Sequence, residues 1–237
     1  MHARLTKFRK YLAQGAIPGL CACCGKWLQG AAEPALCPHC LRALPWNTGA
    51  CRRCGLREHA ADSSHCAALP FATTVSPLLY QGPVAQWVLR SKRRGGLPEA
   101  RLLADCLTLA ISDAYPATQL PEILVPVPLS WRRLLRRGHN QAHVLASMIG
   151  RRLNLSVDPR ALRRQRHTRI QPGLSESQRY ANMAGAFSCR RTWNAEHVAV
   201  VDDVMTSGAT AAAIADCLLQ AGCAQVDVWC AARAVSS

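Results

Sequence analysis

Val198-Ala199-Val200-Val201-Asp202-Asp203-Val204-Met205-Thr206-Ser207-Gly208-Ala209-Thr210 runs from apolar residues through two carboxylates into a short, hydroxyl-bearing turn. The leading apolar residues suit a buried parallel strand, and residues 209–221, rich in Ala, Leu and Ile, suit the helix that follows. The turn therefore sits at a helix N-terminus. There, unpaired backbone N–H groups and the positive end of the helix dipole favour a phosphate; Gly208 permits close approach, and the hydroxyls of Thr206, Ser207 and Thr210 add donors. Asp202 and Asp203 stand at the carboxyl end of the strand, where open α/β sheets gather ligands. Carboxylates do not bind a phosphate directly, so their partners are sugar hydroxyls or a hard cation such as Mg2+. The whole stretch reads as a site for a phosphorylated sugar. A helix cap alone would need one acid and no Thr-Ser-Gly-x-Thr run. A Walker A loop would need a Lys that this segment lacks.

Working outward, strand and helix patterns alternate from residue 73 onward. Residues 71–80 read as an edge strand or hairpin weakened by Pro77, and residues 83–89 as a short helix. Residues 98–114 form a helical pattern with Leu102, Leu103, Cys106, Leu107 and Ala110 on its apolar face. A strand at 123–128 leaves into a loop, and a helix at 139–153 presents Ala142, Leu145, Ala146, Ile149 and Leu153. A last strand falls at 226–231. This alternation predicts an α/β fold with a doubly wound parallel sheet.

The 237 residues allow one sizeable domain and a small appendage, and the cysteines mark the appendage. Eight of 13 precede residue 67, including the pairs Cys21/Cys24, Cys37/Cys40 and Cys51/Cys54, with Cys66 ending the series. Residues 1–19 carry scattered Lys and Arg and no continuous apolar core, and no apolar run approaches the roughly 20 residues of a membrane span. The expected compartment is a reducing cytoplasm, where repeated C-x-x-C pairs favour Zn2+ over disulfides. Cys21, Cys24, Cys37 and Cys40 make a complete tetrahedral set. Cys51, Cys54 and Cys66 make a second with Ser63 where a fourth Cys is expected; either His65 or His59 fills that gap, or the second site is degenerate and metal-free. The expected division is a double zinc-ribbon-like module over residues 1–70 and the α/β domain over 71–237. Cys106, Cys189, Cys217, Cys223 and Cys230 lie on apolar segments and read as core.

The formal net charge is +15, concentrated in Arg132, Arg133, Arg136 and Arg137, in Arg151 to Arg169, and in Arg90, Lys92, Arg93 and Arg94. This balance suits a polyanionic partner, whether a pyrophosphate or a nucleic acid, and does not separate the two. Aromatic residues make up only 5% of the chain, few for base-stacking platforms.

Residues 198–210 resemble the binding motif for phosphoribosyl pyrophosphate (PRPP) in type I phosphoribosyltransferases. That resemblance implies that Asp202 and Asp203 hold the ribose hydroxyls, that Thr206, Ser207, Gly208, Ala209 and Thr210 wrap the 5-phosphate, and that Mg2+ accompanies PRPP. The segment Pro126-Val127-Pro128-Leu129-Ser130, followed by Trp131 to Gln141, stands where that family holds pyrophosphate; the implied contacts are Leu129, Ser130, Arg132, Arg133 and Arg137. The polar stretch with Arg166, Thr168, Gln171, Leu174 and Arg179 reads as a mobile lid or a surface loop. Cysteine knuckles, R-R-G-x-N-Q, T-x-x-Q-x-G-L-S-x-x-x-R-x-x-N-x-x-G-A-F and the C-terminal motif, in that order, resemble the ComF/GntX family of bacterial competence-associated proteins over nearly the whole chain. His139 departs from the usual Phe, and Ser63 from the usual knuckle Cys.

The resemblance implies transfer of phosphoribosyl from PRPP to an unidentified acceptor with release of pyrophosphate. A second expectation is a non-catalytic accessory protein that binds single-stranded DNA or a DNA-uptake helicase.

Overall fold

Apolar strands joined by amphipathic helices can bury both faces only as a sheet between helical layers. The computed structural model, which describes residues 19–28, 36–57, 64–165 and 176–235, has that architecture. A hairpin of β1 (Gly19–Leu20) and β2 (Trp27–Leu28) leads to the short helices α1 (Pro38–Arg42) and α2 (Ser64–Ala67). Then come β3 (Thr74–Val75), β4 (Leu78–Leu79), α3 (Gly82–Ser91), α4 (Leu97–Ala114) and β5 (Ile123–Pro126). The chain continues through α5 (Trp131–Arg137), α6 (Gln141–Leu153), β6 (Ser156–Val157), β7 (Leu162–Arg164) and α7 (Glu176–Met183). It ends with β8 (Phe187–Cys189), β9 (His197–Met205), α8 (Ala209–Gln220) and β10 (Gln225–Arg233).

The central sheet runs β3-β10-β9-β5-β6, with β4 also on β10, and every pairing is parallel. Val200 lies opposite Val228 on one side and Val125 on the other, which puts β9 in the middle of the sheet. Its side chains alternate: Ala199 and Val201 pack with α3, α4 and α6, whereas Val198 and Val200 pack with α8. The sequence-predicted helical faces are the observed ones, with Leu102, Leu103, Leu107, Leu145 and Ile149 all buried. Helix α6 starts at Gln141 rather than at residue 139, because the Asn140 side chain caps it by accepting from the Ala142 N–H at 3.1 Å. Residues 71–80 form the sheet edge as two short strands on β10, interrupted at Ser76 and Pro77, where proline offers no N–H.

That edge is covered. Trp46 bridges Leu78, the Asn47 N–H donates to Pro77 O at 2.7 Å, and Leu79 donates to Pro45 O at 2.8 Å. The cysteine-rich segment thus packs along the sheet edge, and its two halves join opposite faces. Cys21, Cys40, Leu41 and Leu44 extend the core under α4 and α6; Cys54, Cys66, Leu69 and Phe71 extend the core under α8. No helix among the described residues is long and apolar enough to cross a membrane.

Candidate functional site

Asp202 and Asp203 stand near the carboxyl end of β9. Their backbone is turned so that Asp202 Oδ1 accepts from the Asp203 N–H at 2.8 Å and Asp203 Oδ1 accepts from the Val204 N–H at 2.9 Å. Lys92, just past the end of α3, reaches across to Asp203 with Nζ 2.8 Å from Oδ2. Burial pushes the Asp202 carboxyl up to about 8, and the neighbouring Asp203 charge adds to the rise. The pair therefore sets Asp203, bridged to Lys92, beside an Asp202 carboxyl whose ionisation is opposed by burial and by its neighbour. Such a pair both donates to and accepts from hydroxyl groups.

Beyond Met205 the chain turns through Thr206, Ser207 and Gly208 into α8. Gly208 has φ 82°, a conformation that costs a side-chain-bearing residue roughly 1–2 kcal/mol. Three consecutive carbonyls of this turn are tied from outside. Arg233, buried at the end of β10, donates through its terminal nitrogen to Met205 O at 3.0 Å and to Thr206 O, and Tyr180 Oη on α7 donates to Ser207 O at 3.1 Å. A trans peptide points its N–H opposite to its C=O. The N–H groups of Thr206, Ser207 and Gly208 are thus aimed away from Arg233 and Tyr180, and no acceptor among the described residues takes them. Asp202, Thr206, Gly208 and Thr210 line a cavity of about 40 Å3 at this point. A cradle of free N–H groups at a helix N-terminus suits a single anionic group.

The segment after β5 lies beside the acid pair, with the Val127 N–H donating to Val201 O at 2.9 Å. Leu129 is half-buried; Ser130 is buried, and its Oγ meets no partner among the described residues. Of the arginines singled out in the sequence, Arg133 and Arg137 share the less exposed side of α5, four residues apart. Arg137 is lowered by burial while Asp203 opposes the shift, and Arg164 on β7 is lowered by burial and by Arg133 while Asp202 opposes it. Arg132 instead lies over the Trp131 ring at 5.4 Å, out on the surface. His139, in the place of the expected aromatic, ties the loop to α3 through Nε2 at 2.9 Å from Ser91 O. Asn140 adds a bond to Val127 O at 3.0 Å.

Arg166, Thr168, Gln171 and Leu174 lie outside the described residues, and Arg179 falls within α7. The ends of the stretch are anchored: β7 pairs antiparallel with β8, and Leu162, Met183, Ala186 and Phe187 are buried against α8. Sequence periodicity missed this pair because two three-residue strands separated by a long polar insertion carry almost no pattern. Tyr180 and Arg233 were also missed. The signal for Arg233 was a lone Arg directly after the buried apolar run Val228 to Ala232.

Cys21, Cys24, Cys37 and Cys40 bring their sulfurs within 4.8 Å of one another, as do Cys51, Cys54 and Cys66. Two of the C-x-x-C pairs fold alike. Gly25 N–H donates to Cys21 O and Cys21 N–H to Lys26 O, while Gly55 N–H donates to Cys51 O and Cys51 N–H to Leu56 O, each at 2.8 Å. Cys37 opens α1, where its sulfur accepts from the Cys40 N–H at 3.4 Å. Burial alone would raise the Cys21 thiol, but backbone N–H donors from Cys37, Cys24 and Cys23 bring it down to about 6. Four converging sulfurs with N–H donors fit a tetrahedral Zn2+ thiolate site, and the second cluster can supply three ligands. His59 and Ser63 lie outside the described residues, and the side chain of His65 is not among those described.

A parallel α/β sheet carrying an acid pair and a turn of unpaired N–H groups at its strand ends, with two thiol clusters on its edge, defines an α/β protein whose cysteine clusters fit a zinc-ribbon-type module. The chain is 34% identical to "DNA utilization protein YhgH" of Escherichia coli (strain K12) over 241 residues, spanning 92% of this chain and 98% of the relative. It is 34% identical to "Competence protein F" of Haemophilus influenzae over 221 residues, spanning 91% of each. It is 28% identical to "Competence protein ComFC" of Bacillus subtilis over 194 residues, spanning 79% of this chain and 72% of the relative. No family model matches the chain. The chain belongs to the ComF family of competence proteins.

Proposed function

We propose that this chain binds PRPP with Mg2+ at the end of β9 and transfers its phosphoribosyl group to an acceptor, releasing pyrophosphate, in the service of DNA uptake or utilization. One observation carries the reading: the N–H groups of Thr206, Ser207 and Gly208 are turned together toward an open cradle beside Asp202 and Asp203. The cradle suits the 5-phosphate, and the carboxyl pair one turn away suits the ribose 2- and 3-hydroxyls. Ser130, Arg133 and Arg137 suit the pyrophosphate, with Ser130 Oγ supplying the donor that lacks a partner. Asp203 offers hard carboxyl oxygens of the kind Mg2+ accepts, Asp202 would join it only on losing its proton, and bound Mg2+ would spread the charge of the departing pyrophosphate. The protein's own contribution is to hold the ribose still and to place cations where negative charge develops.

A second reading, single-stranded DNA binding, is favoured by α5. Trp131, Leu134 and Leu135 share one helical face, with Trp131 66% and Leu135 72% exposed, and four arginines complete the helix. Phosphates on arginines with a base on Trp131 is the chemistry that such a surface offers.

Isothermal titration with PRPP and Mg2+, run beside salt-dependent binding of an oligo-dT, tests both. Wild-type chain is expected to bind PRPP, and Asp202→Ala/Asp203→Ala to weaken it by roughly 100-fold or more through loss of several hydrogen bonds. Trp131→Ala is expected to weaken oligo-dT alone. A wild-type chain that does not bind PRPP overturns the first reading.

A further inference from the structure

Arg233 is the last residue of β10 and is only 3% exposed, an unusual place for a guanidinium. Its nitrogens are used on two sides. Nε donates to the carbonyl of Cys54 at 3.1 Å, while one terminal nitrogen serves Met205 O at 3.0 Å, Ala234 O at 3.0 Å and Thr206 O. One rigid, planar group therefore links the backbone of a thiol-cluster residue to the two carbonyls that open the Thr206 turn. The packing around it is tight. Gly55, next to Cys54, has φ 73°, and a Cβ there would come 2.9 Å from Ser76 Oγ, 3.1 Å from Thr74 Cγ2 and 3.4 Å from Arg233 Cδ. Cys54 is itself 1% exposed, and the carbonyls on either side of it are held as well, Arg53 O by Thr74 Oγ1 at 2.6 Å and Gly55 O by Asn47 Nδ2 at 2.9 Å, so the sulfur's ligand adds the remaining restraint on the Cys54 peptide.

From this we infer that Arg233 is the positioning residue of the anion cradle, and that it couples metal loading of the Cys51, Cys54 and Cys66 cluster to the cradle's grip on a phosphate group. The inference rests on reading the cradle as a phosphate site. The chain of cause has three links. A metal on Cys54 Sγ fixes the Cys54 peptide; the Cys54 carbonyl fixes the guanidinium; the guanidinium fixes the Met205 and Thr206 carbonyls, and peptide planarity then aims the Thr206 and Ser207 N–H groups. Without metal, the first link slackens and the N–H groups lose their common aim. Neither Asp202 nor Asp203 takes part, so the coupling acts on the phosphate and not on the ribose.

The test is a double-mutant cycle between Arg233→Lys and Cys51→Ser, with Kd for PRPP from titration and zinc counted by native mass spectrometry on the same samples. Cys51→Ser is expected to lose the second ion, keep the first, and bind PRPP about tenfold more weakly, a coupling of ordinary allosteric size. Arg233→Lys, which keeps the buried charge but not the fork, is expected to keep both ions and to weaken PRPP by a similar factor. The double variant is expected to bind no worse than Arg233→Lys alone, since the strut is already broken. Additive losses, or an unchanged Kd in Cys51→Ser, overturn the coupling. Because either variant can fold poorly, the wild-type chain is also titrated with a chelator until native mass spectrometry shows the second ion gone. A Kd that does not move there overturns the inference independently of any mutation. A wild-type chain that never binds PRPP is a separate failure, that of the function reading.

Discussion

Burial beside Asp203 makes Asp202 a carboxyl that the folded chain keeps protonated up to about pH 8. An Asp in the unfolded chain ionises near about 3.9, so between these values the folded state binds the extra proton. Unfolding then releases a proton, and stability falls as pH rises through that window. Asp202→Asn abolishes the effect. The variant is expected to melt higher than wild type at pH 8.5, by roughly 2–4 °C for each kcal/mol recovered, and to match it at pH 4. Melting curves at the two pH values decide this; a wild type that is the more stable at pH 8.5 would mean that Asp202 is ionised there.

At the scale of single elements, the turn between β9 and α8 shows what was legible in the sequence and what was not. The apolar run, the acids and the Thr-Ser-Gly-x-Thr turn are contiguous, so the strand, the turn and the helix all follow from one window of residues. The parts supplied from elsewhere left no local trace: Tyr180, Lys92 and Arg233 lie 27, 111 and 27 residues from the groups they bind, measured to Ser207, Asp203 and Thr206. Only the folded sheet brings them together. Likewise the β7/β8 pair was invisible because each strand is three residues long. The turn itself makes a sharp demand on Gly208, whose φ of 82° places it in the left-handed region. Gly208→Ala is expected to cost about 1 kcal/mol in backbone strain, seen as a melting point lower by roughly 2–4 °C. Its added Cβ would sit 3.5 Å from Tyr180 Oη, so the Tyr180 clamp on Ser207 O remains and the loss is one of backbone conformation.

At the scale of the whole molecule, the thiol clusters are structural parts of the sheet and not a pendant module. Cys21 and Cys40 share a core with Trp229 and Leu107, while Cys54 and Cys66 share the opposite core with Val228 and Ile214. Arg53 donates to Leu69 O at 2.7 Å, and the Thr74 N–H and Oγ1 bind the carbonyls of Arg52 and Arg53, so the backbone of the second knuckle is stitched to the first edge strand. A pendant module would lose its metal and unfold alone, leaving the α/β domain's transition where it was. Here the thiols that could hold ions belong to the segment that seals both cores at the sheet edge, so release of bound ions would loosen the cover over Leu41 and Leu44 on one face and over Leu69 and Phe71 on the other. Ligand linkage makes the native state more stable by RT ln(1 + [L]/Kd), and zinc in small thiolate sites contributes on the order of 10 kcal/mol of folding free energy. The expected outcome is a single calorimetric transition for the zinc-loaded chain that moves down by roughly 10 °C or more in EDTA while remaining single. Cys37→Ser, which removes one of four sulfurs from the first cluster, is expected to move the same transition without splitting it. Two transitions, the upper one insensitive to EDTA, would show that the sheet folds without its edge. That result would also remove the physical basis for any signal passing from the thiol clusters to the loop at Thr206.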